Sequence, residues 1–290
     1  MLEKNIITGF ADEIAPDLDV QIRVLKKLGM NHIEMRGVDG KGLVTYSPEE
    51  VKTIKDRLDA AGMRLSALGS PIGKIGVLED FAPHFELFRH TVEIAHIMET
   101  PYIRMFSFFT PQGENPSLYR DEVMKRIGAM VDYATEHQVI LLHENEKEIY
   151  GDVASRCVEI MKEFYGDHMK AVFDFANFVQ CGQDTQEAYE LLKPYIAYIH
   201  IKDALKQDGS VVPAGMGDGH VAEILKKLDQ SGYAGYLSLE PHLSEFTGYA
   251  ALGDGTSIHG RKLTGEEAFT TSYRALSDLL ASSALFPWAK

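Results

Sequence analysis

Four side chains able to bind metal stand at the ends of four apolar runs in the second half of the chain. Glu144 closes Ile140-Leu141-Leu142-His143-Glu144 and Asp174 closes Ala171-Val172-Phe173-Asp174; His200 ends Tyr198-Ile199-His200, and Glu240 closes Leu237-Ser238-Leu239-Glu240. If the runs are adjacent parallel strands, about 4.8 Å apart, the four groups converge on one point. Three carboxylates gathered there repel one another, and a divalent cation is the economical way to neutralise them. Mixed oxygen and nitrogen donors suit Mn2+, Mg2+, Co2+ or Zn2+. The carboxylate-rich set leans to the harder ions, so one Mn2+ is the first expectation. An ion chelating neighbouring carbonyl and hydroxyl oxygens acidifies the C–H between them and stabilises an enediolate. A carboxylate on each face can then serve as general base and general acid. Returning the proton to the opposite face epimerises the centre, and returning it to the next carbon isomerises the sugar. The residues do not choose between these outcomes.

Positioning these groups falls to eight short apolar runs that alternate with longer amphipathic stretches. The runs are Ile6 to Phe10, His32 to Met35, Arg64 to Leu68, Tyr102 to Phe106, Val139 to Leu142, Lys170 to Phe173, Ile196 to Ile201 and Gly235 to Leu239. Helix signals lie between them. Ser47-Pro48-Glu49-Glu50 is a capping box with proline at the first helical position, and Asp184 with Glu187 and Thr264 with Glu267 repeat the cap. Leu18, Ile22, Leu25 and Leu28 share one helical face, as do Val123, Ile127, Met130 and Ala134. In the last helix, Leu276, Leu279 and Leu280 look core-facing. No linker or composition shift divides the chain, which predicts one α/β domain over residues 1–290, a (β/α)8 barrel. A doubly wound open sheet is the alternative, without a phosphate-loop motif after the first strand to support it.

Barrel active sites lie at the C-terminal ends of the strands, and other polar residues there are candidates. Lys202 shares a strand face with His200, and it either holds a substrate oxygen, supports a ligand carboxylate, or pairs with Asp203 or Glu34. Glu34 and Arg36 share a face on the second strand, where they line the pocket or pair within the barrel mouth. Arg104 is an anion-binding or salt-bridging candidate, and His242 and Asn177 are candidates for substrate contact. His143 alternates away from Glu144 and is read as packing. The loop Pro213 to His220 offers glycine amides to a substrate or opens the next helix. Leu243 to Leu263, with Phe246, Tyr249, His259, Arg261 and Lys262, is read as a lid, an oligomer contact or surface.

The strand ends "LLHEN", "VFDFAN", "YIHIKD" and "LSLEPH", with the earlier "TGFADEI", "HIEMRG" and "IRMFSFF", resemble the sugar phosphate isomerase/epimerase family. These are the xylose isomerase-like barrels that include ketose 3-epimerases, and the resemblance spans nearly the whole chain. It implies that Glu144, Asp174, His200 and Glu240 bind one metal, with Glu144 and Glu240 also shuttling protons. Lys202, Arg104, Glu34, Asn177 and His242 are then the substrate-contact candidates, the substrate is a small sugar or sugar phosphate, and a homo-oligomer is expected. Met216 departs from the glutamate that such barrels often carry in this loop.

Three other functions compete. A dehydratase of keto-inositols or dehydroshikimate needs the same metal and base. An apurinic endonuclease resembles the barrel too but adds histidines, where this chain has Ser70, Ser107 and Asn177. A non-catalytic sugar-binding protein has no need of clustered carboxylates. The chain has 290 residues, 45% of them hydrophobic and 25% charged, which predicts a folded globular protein. The net charge of -14 argues against nucleic acid. No apolar run is long enough for a membrane span and Met1 to Phe10 lacks signal-peptide character, so a cytoplasmic location is expected. Cys157 and Cys181 fit no metal or disulfide pattern and are expected to be reduced.

Overall fold

A computed structural model describes residues 6–243 and 262–282. Eight strands form one parallel sheet: β1 (Ile6–Gly9), β2 (His32–Met35), β3 (Arg64–Leu68), β4 (Tyr102–Met105), β5 (Ile140–Glu144), β6 (Met169–Asp174), β7 (Ile196–Ile201) and β8 (Tyr236–Leu239). Their order is β1-β8-β7-β6-β5-β4-β3-β2, and a parallel bridge between Phe10 and Glu34 joins the ends, giving a nearly closed barrel. All eight expected strands are present, with boundaries shifted by a residue or two.

Helices cover the outside: α1 (Leu18–Lys27), α2 (Pro48–Ala60), α3 (Phe81–Ile97), α4 (Arg120–Glu136), α5 (Ala154–Phe164), α6 (Phe175–Gln180), α7 (Thr185–Leu192), α8 (Val221–Gln230) and α9 (Gly265–Ser282). The capping box of α2 forms reciprocally: Glu50 N–H donates to Ser47 Oγ, and Ser47 N–H donates to Glu50 Oε2. Thr264 and Glu267 do the same before α9. Each such cap contributes about 1 kcal/mol by satisfying orphan amides. The expected stripes are buried: Leu18 and Leu25 on α1, Ile127 and Met130 on α4, and Leu276 and Leu280 on α9 all pack into the helix–barrel core. Short α6 was not expected, because six residues are too few to show a helical period.

Alternation along the strands builds layers inside the barrel. Tyr102, Tyr198 and Tyr236 cluster at the floor, where Tyr198 OH, Ser66 Oγ and Thr8 Oγ1 form a hydrogen-bonded chain with 2.9 Å links. Two residues further along the same strands stand Arg104, His200 and Ser238, and Lys202 lies two beyond His200. Inside the barrel, charged side chains thus stand one layer above the tyrosines. Cys157 and Cys181 are both free thiols.

Candidate metal centre

His200 and Asp174 are register partners on β7 and β6, and the backbone N–H of Glu240 donates to Ile201 O across the β7–β8 edge. Glu144 ends β5. The four strands therefore deliver one ligand atom each, all within 4.8 Å of one another, from residues that are fully or almost fully buried. A divalent ion holds such atoms at roughly 2.0–2.2 Å, so the cluster is close to the size of one coordination sphere.

Three of its oxygens, Glu144 Oε2, Asp174 Oδ2 and Glu240 Oε2, are buried and complete no hydrogen bond, although cationic side chains stand nearby. Each has a guanidinium or ammonium nitrogen at 3.2 Å, but two such cations do not match the carboxylates gathered here, and a metal cation is the partner that fits the remaining charge.

The imidazole is aimed by its other nitrogen. His200 Nε2 lies 3.2 and 3.3 Å from the two Glu34 oxygens, and Ser238 Oγ donates to Glu34 Oε2 at 2.5 Å. Nδ1 faces the cluster, 2.9 Å from Glu144, 3.5 Å from Glu240 and 4.0 Å from Asp174. This carboxylate–histidine arrangement orients the ring and turns Nδ1 into the cluster as the candidate ligand atom. Glu34 does not pair with Arg36 in the barrel mouth, as one of its two expected readings had it: it is fully buried behind His200, on the side away from the cluster.

The other candidates also converge. Arg104 Nη1 lies 3.2 Å from Glu144 Oε2, while its Nη2 donates to Gly69 O at 3.1 Å, which makes Arg104 a salt-bridge partner. Asn177 Nδ2 donates to Asn145 O at 2.9 Å and to Glu144 Oε1 at 3.3 Å, and Asp174 Oδ1 caps α6 by accepting from the Asn177 N–H at 2.7 Å. Lys202 Nζ sits 3.2 Å from both Asp174 Oδ2 and Glu240 Oε2. The pairing with Asp203 or Glu34 is thereby corrected, because Asp203 is engaged elsewhere. It accepts backbone N–H groups from Ala204, Gly215, Gly217 and Gly219. The glycine loop's amides therefore face Asp203 and not a substrate. A Cβ at Gly217 or Gly219 would lie 2.4 or 2.6 Å from the Asp203 carboxylate, so the loop needs glycine to wrap it. His143 is buried beside Gly151, in the packing role expected.

At the mouth, His242 Nε2 lies 3.3 Å from Glu240 Oε1 and 3.2 Å from Glu13 Oε1. Arg36 binds Asp12 at 2.8 Å and Glu13 at 3.5 Å, with Nη1 4.0 Å from Glu240. Glu13 and Asn145 were not singled out from the sequence. Each sits in a quoted motif, "TGFADEI" and "LLHEN", but only the fold shows that it touches the cluster. Phe10 stands T-shaped to His200 and carries the Arg36 and Arg104 guanidiniums over its ring. Its neighbour must be Gly69, since a Cβ there would lie 2.4 Å from the ring.

Charge follows contact. Burial pushes the Glu144 pKa up, but His200 and Arg104 outweigh it and hold it down at about 2. Burial also opposes ionisation of Glu240, and Lys202 and His242 bring it well below the usual range. At Asp174 burial wins and raises the pKa to about 7. Burial disfavours the His200 imidazolium, yet Glu144 and Glu34 raise its pKa well above 6.5. Glu13 rises to about 7 through burial and the Glu240 charge, and burial lowers His242 to about 4. Of the loop from Leu243 to Leu263, expected to be a lid, an oligomer contact or surface, residues 244–261 with Phe246, Tyr249, His259 and Arg261 lie outside the described residues.

Comparison with known proteins agrees with this architecture. A family model described as xylose isomerase-like TIM barrel matches residues 22–264. A curated 3-dehydroshikimate dehydratase from Bacillus anthracis is 21% identical over 180 residues, 62% of this chain. The match spans 64% of that relative's length. Among solved structures, the zinc-bound protein IOLI superposes with a TM-score of 0.73 at 17% identity, covering 96% of this chain and 98% of its own. A D-tagatose 3-epimerase-like protein superposes with a TM-score of 0.72 at 16% identity, covering 96% and 97%. These structural likenesses show the fold. No helix among the described residues is long and apolar enough to cross a membrane.

Proposed function

The chain belongs to the xylose isomerase-like TIM barrel family, and on that premise we propose that it is a metal-dependent isomerase or epimerase of a small sugar-like substrate, with Glu144 and Glu240 as the acid/base pair. The observation that carries this reading is the set of three carboxylate oxygens without a hydrogen bond, gathered with His200 Nδ1. Glu144, Asp174, His200 and Glu240 would hold one divalent ion, Mn2+ in first place. Bound there, it would supply Lewis acidity to adjacent carbonyl and hydroxyl oxygens of the substrate.

The protein's own groups divide the remaining work. Glu144 stands on β5 and Glu240 after β8, with the Asp174 and His200 strands between them, so the two carboxylates flank the cluster. Both are ionised at neutral pH, so either can take the proton from a carbon next to a carbonyl and, now protonated, return it to the neighbouring carbon; for epimerisation the partner first takes up a proton from solvent and delivers it from the opposite side. Asn177 and Arg104 hold Glu144 in place, and His242 and Arg36 approach Glu240 Oε1 from the mouth. His242 is 41% exposed, which suits it to meet substrate hydroxyls.

Dehydration is the second reading, favoured by the similarity to a 3-dehydroshikimate dehydratase. It uses the same base and differs in a leaving group beta to the carbonyl. One experiment separates the two: Mn2+-loaded protein is incubated in D2O with free ketohexoses, ketohexose phosphates and 3-dehydroshikimate. Deuterium entering a ketose with formation of its isomer, abolished in Glu240→Gln, supports isomerisation. Loss of water from 3-dehydroshikimate with inert ketoses would establish dehydration instead.

A further inference from the structure

The buried ionisable groups around the centre carry unequal numbers of charges. Glu34, Glu144, Asp174 and Glu240 supply four carboxylates, all at most 4% exposed, and Arg104 and Lys202 supply two cations, each 5% exposed. Two negative charges remain when His200 is the neutral ligand, which is the charge of one divalent ion. Outside this inner group, Arg36 faces Asp12 at 2.8 Å and Glu13 at 3.5 Å. Of the two inner cations, Arg104 is committed to Glu144 and to the carbonyls of Gly69 and Ser70. Lys202 differs: its Nζ is shared at 3.2 Å between Asp174 Oδ2 and Glu240 Oε2, two of the oxygens that complete no hydrogen bond.

We infer that Lys202 sets which cation charge the centre selects, its ammonium cancelling one ligand carboxylate so that a divalent ion completes neutrality and a trivalent ion overfills it. The inference rests on the metal-centre reading above and adds a selectivity role to it. An ion-sized charge a few ångströms from the bound cation, in a site that excludes water, opposes that cation with little screening. Lys202 Nζ has a carboxylate oxygen at 3.2 Å on either side, Asp174 Oδ2 and Glu240 Oε2, which is the surrounding of an ammonium. Removing the ammonium leaves three uncompensated negative charges, which a trivalent ion matches.

The test titrates chelator-stripped protein with Mn2+ by calorimetry and with Tb3+ by luminescence, in the wild type, Lys202→Met and Lys202→Arg. Lys202→Met is expected to bind Mn2+ at least about tenfold more tightly and to gain more for Tb3+ than for Mn2+, with Lys202→Arg near the wild type. The ratio of the two gains is the readout that a purely structural role would leave unmoved, since altered packing weakens both ions alike. If Lys202→Met does not fold without metal, Lys202→Gln must show the same shift toward Tb3+. Unchanged or weaker binding of both ions by a folded variant overturns the inference alone. A wild type that binds neither ion overturns it together with the metal-centre reading.

Discussion

Replacing Glu34 with glutamine isolates the group that aims the His200 imidazole at the proposed metal site. Both Glu34 oxygens lie within 3.3 Å of His200 Nε2, one accepts from Ser238 Oγ, and the residue is fully buried. Glutamine keeps the shape and an acceptor oxygen but loses the charge that raises the basicity of the imidazole. Outer carboxylates of this kind typically change metal affinity by roughly 10–100-fold, or about 1.4–2.7 kcal/mol. Because the glutamine amide oxygen can still accept from Nε2–H, the loss belongs near the tenfold end. Glu34→Ala removes the acceptor altogether and belongs near the hundredfold end, with an added loss of about 2 kcal/mol in stability from the cavity and from the orphaned Ser238 hydroxyl. Calorimetric titration with Mn2+ measures the first effect and urea unfolding of the metal-free protein the second. Unchanged Mn2+ affinity in folded Glu34→Gln would refute the reasoning and return Glu34 to the role of a substrate contact.

Metal binding carries a pH dependence whose sign follows from the ligands. His200 is protonated and Asp174 is half-protonated near pH 7 without a cation, so Mn2+ uptake there releases about one to two protons, measured by calorimetry in buffers of different ionisation enthalpy. A raised pKa on Asp174 means the folded form keeps its proton longer than the unfolded one, so stability falls from about pH 4 to 7; the His200 contribution is likewise lost as pH rises through its folded pKa. Stripping the metal with a chelator should therefore lower Tm more at pH 7 than at pH 5. Asp203→Ala orphans four amides that its carboxylate accepts at 2.9 to 3.0 Å, and after partial rehydration of the loop it should lose about 3–5 kcal/mol in urea unfolding. A loss under about 1 kcal/mol would mean that the glycine loop holds its shape without Asp203.

The clustering of Glu144, Asp174, His200 and Glu240 and all eight strands were legible because each rests on a local pattern: an apolar run of strand length, then a polar residue at its end. Alternation also placed Lys202 beside His200 and turned His143 away from Glu144. Depth and partner choice were not legible. Glu34 and Arg36 are two residues apart on one strand face, yet Glu34 lies under His200 and Arg36 reaches Glu240, a split set by height in the barrel. Likewise the amides of Gly215, Gly217 and Gly219 suggested an anion site, and the anion is the chain's own Asp203, ten or more residues upstream. Pairings across the barrel depend on strand stagger, which spacing along a single sequence does not encode.

The central claim is that Glu144, Asp174, His200 and Glu240 form one divalent metal centre. Elemental analysis of wild type and His200→Ala, each dialysed against Mn2+ and then metal-free buffer, tests it most directly. The account predicts about one ion per wild-type chain and a clear loss in His200→Ala. No retained metal in the wild type, or the same content in both proteins, would contradict it.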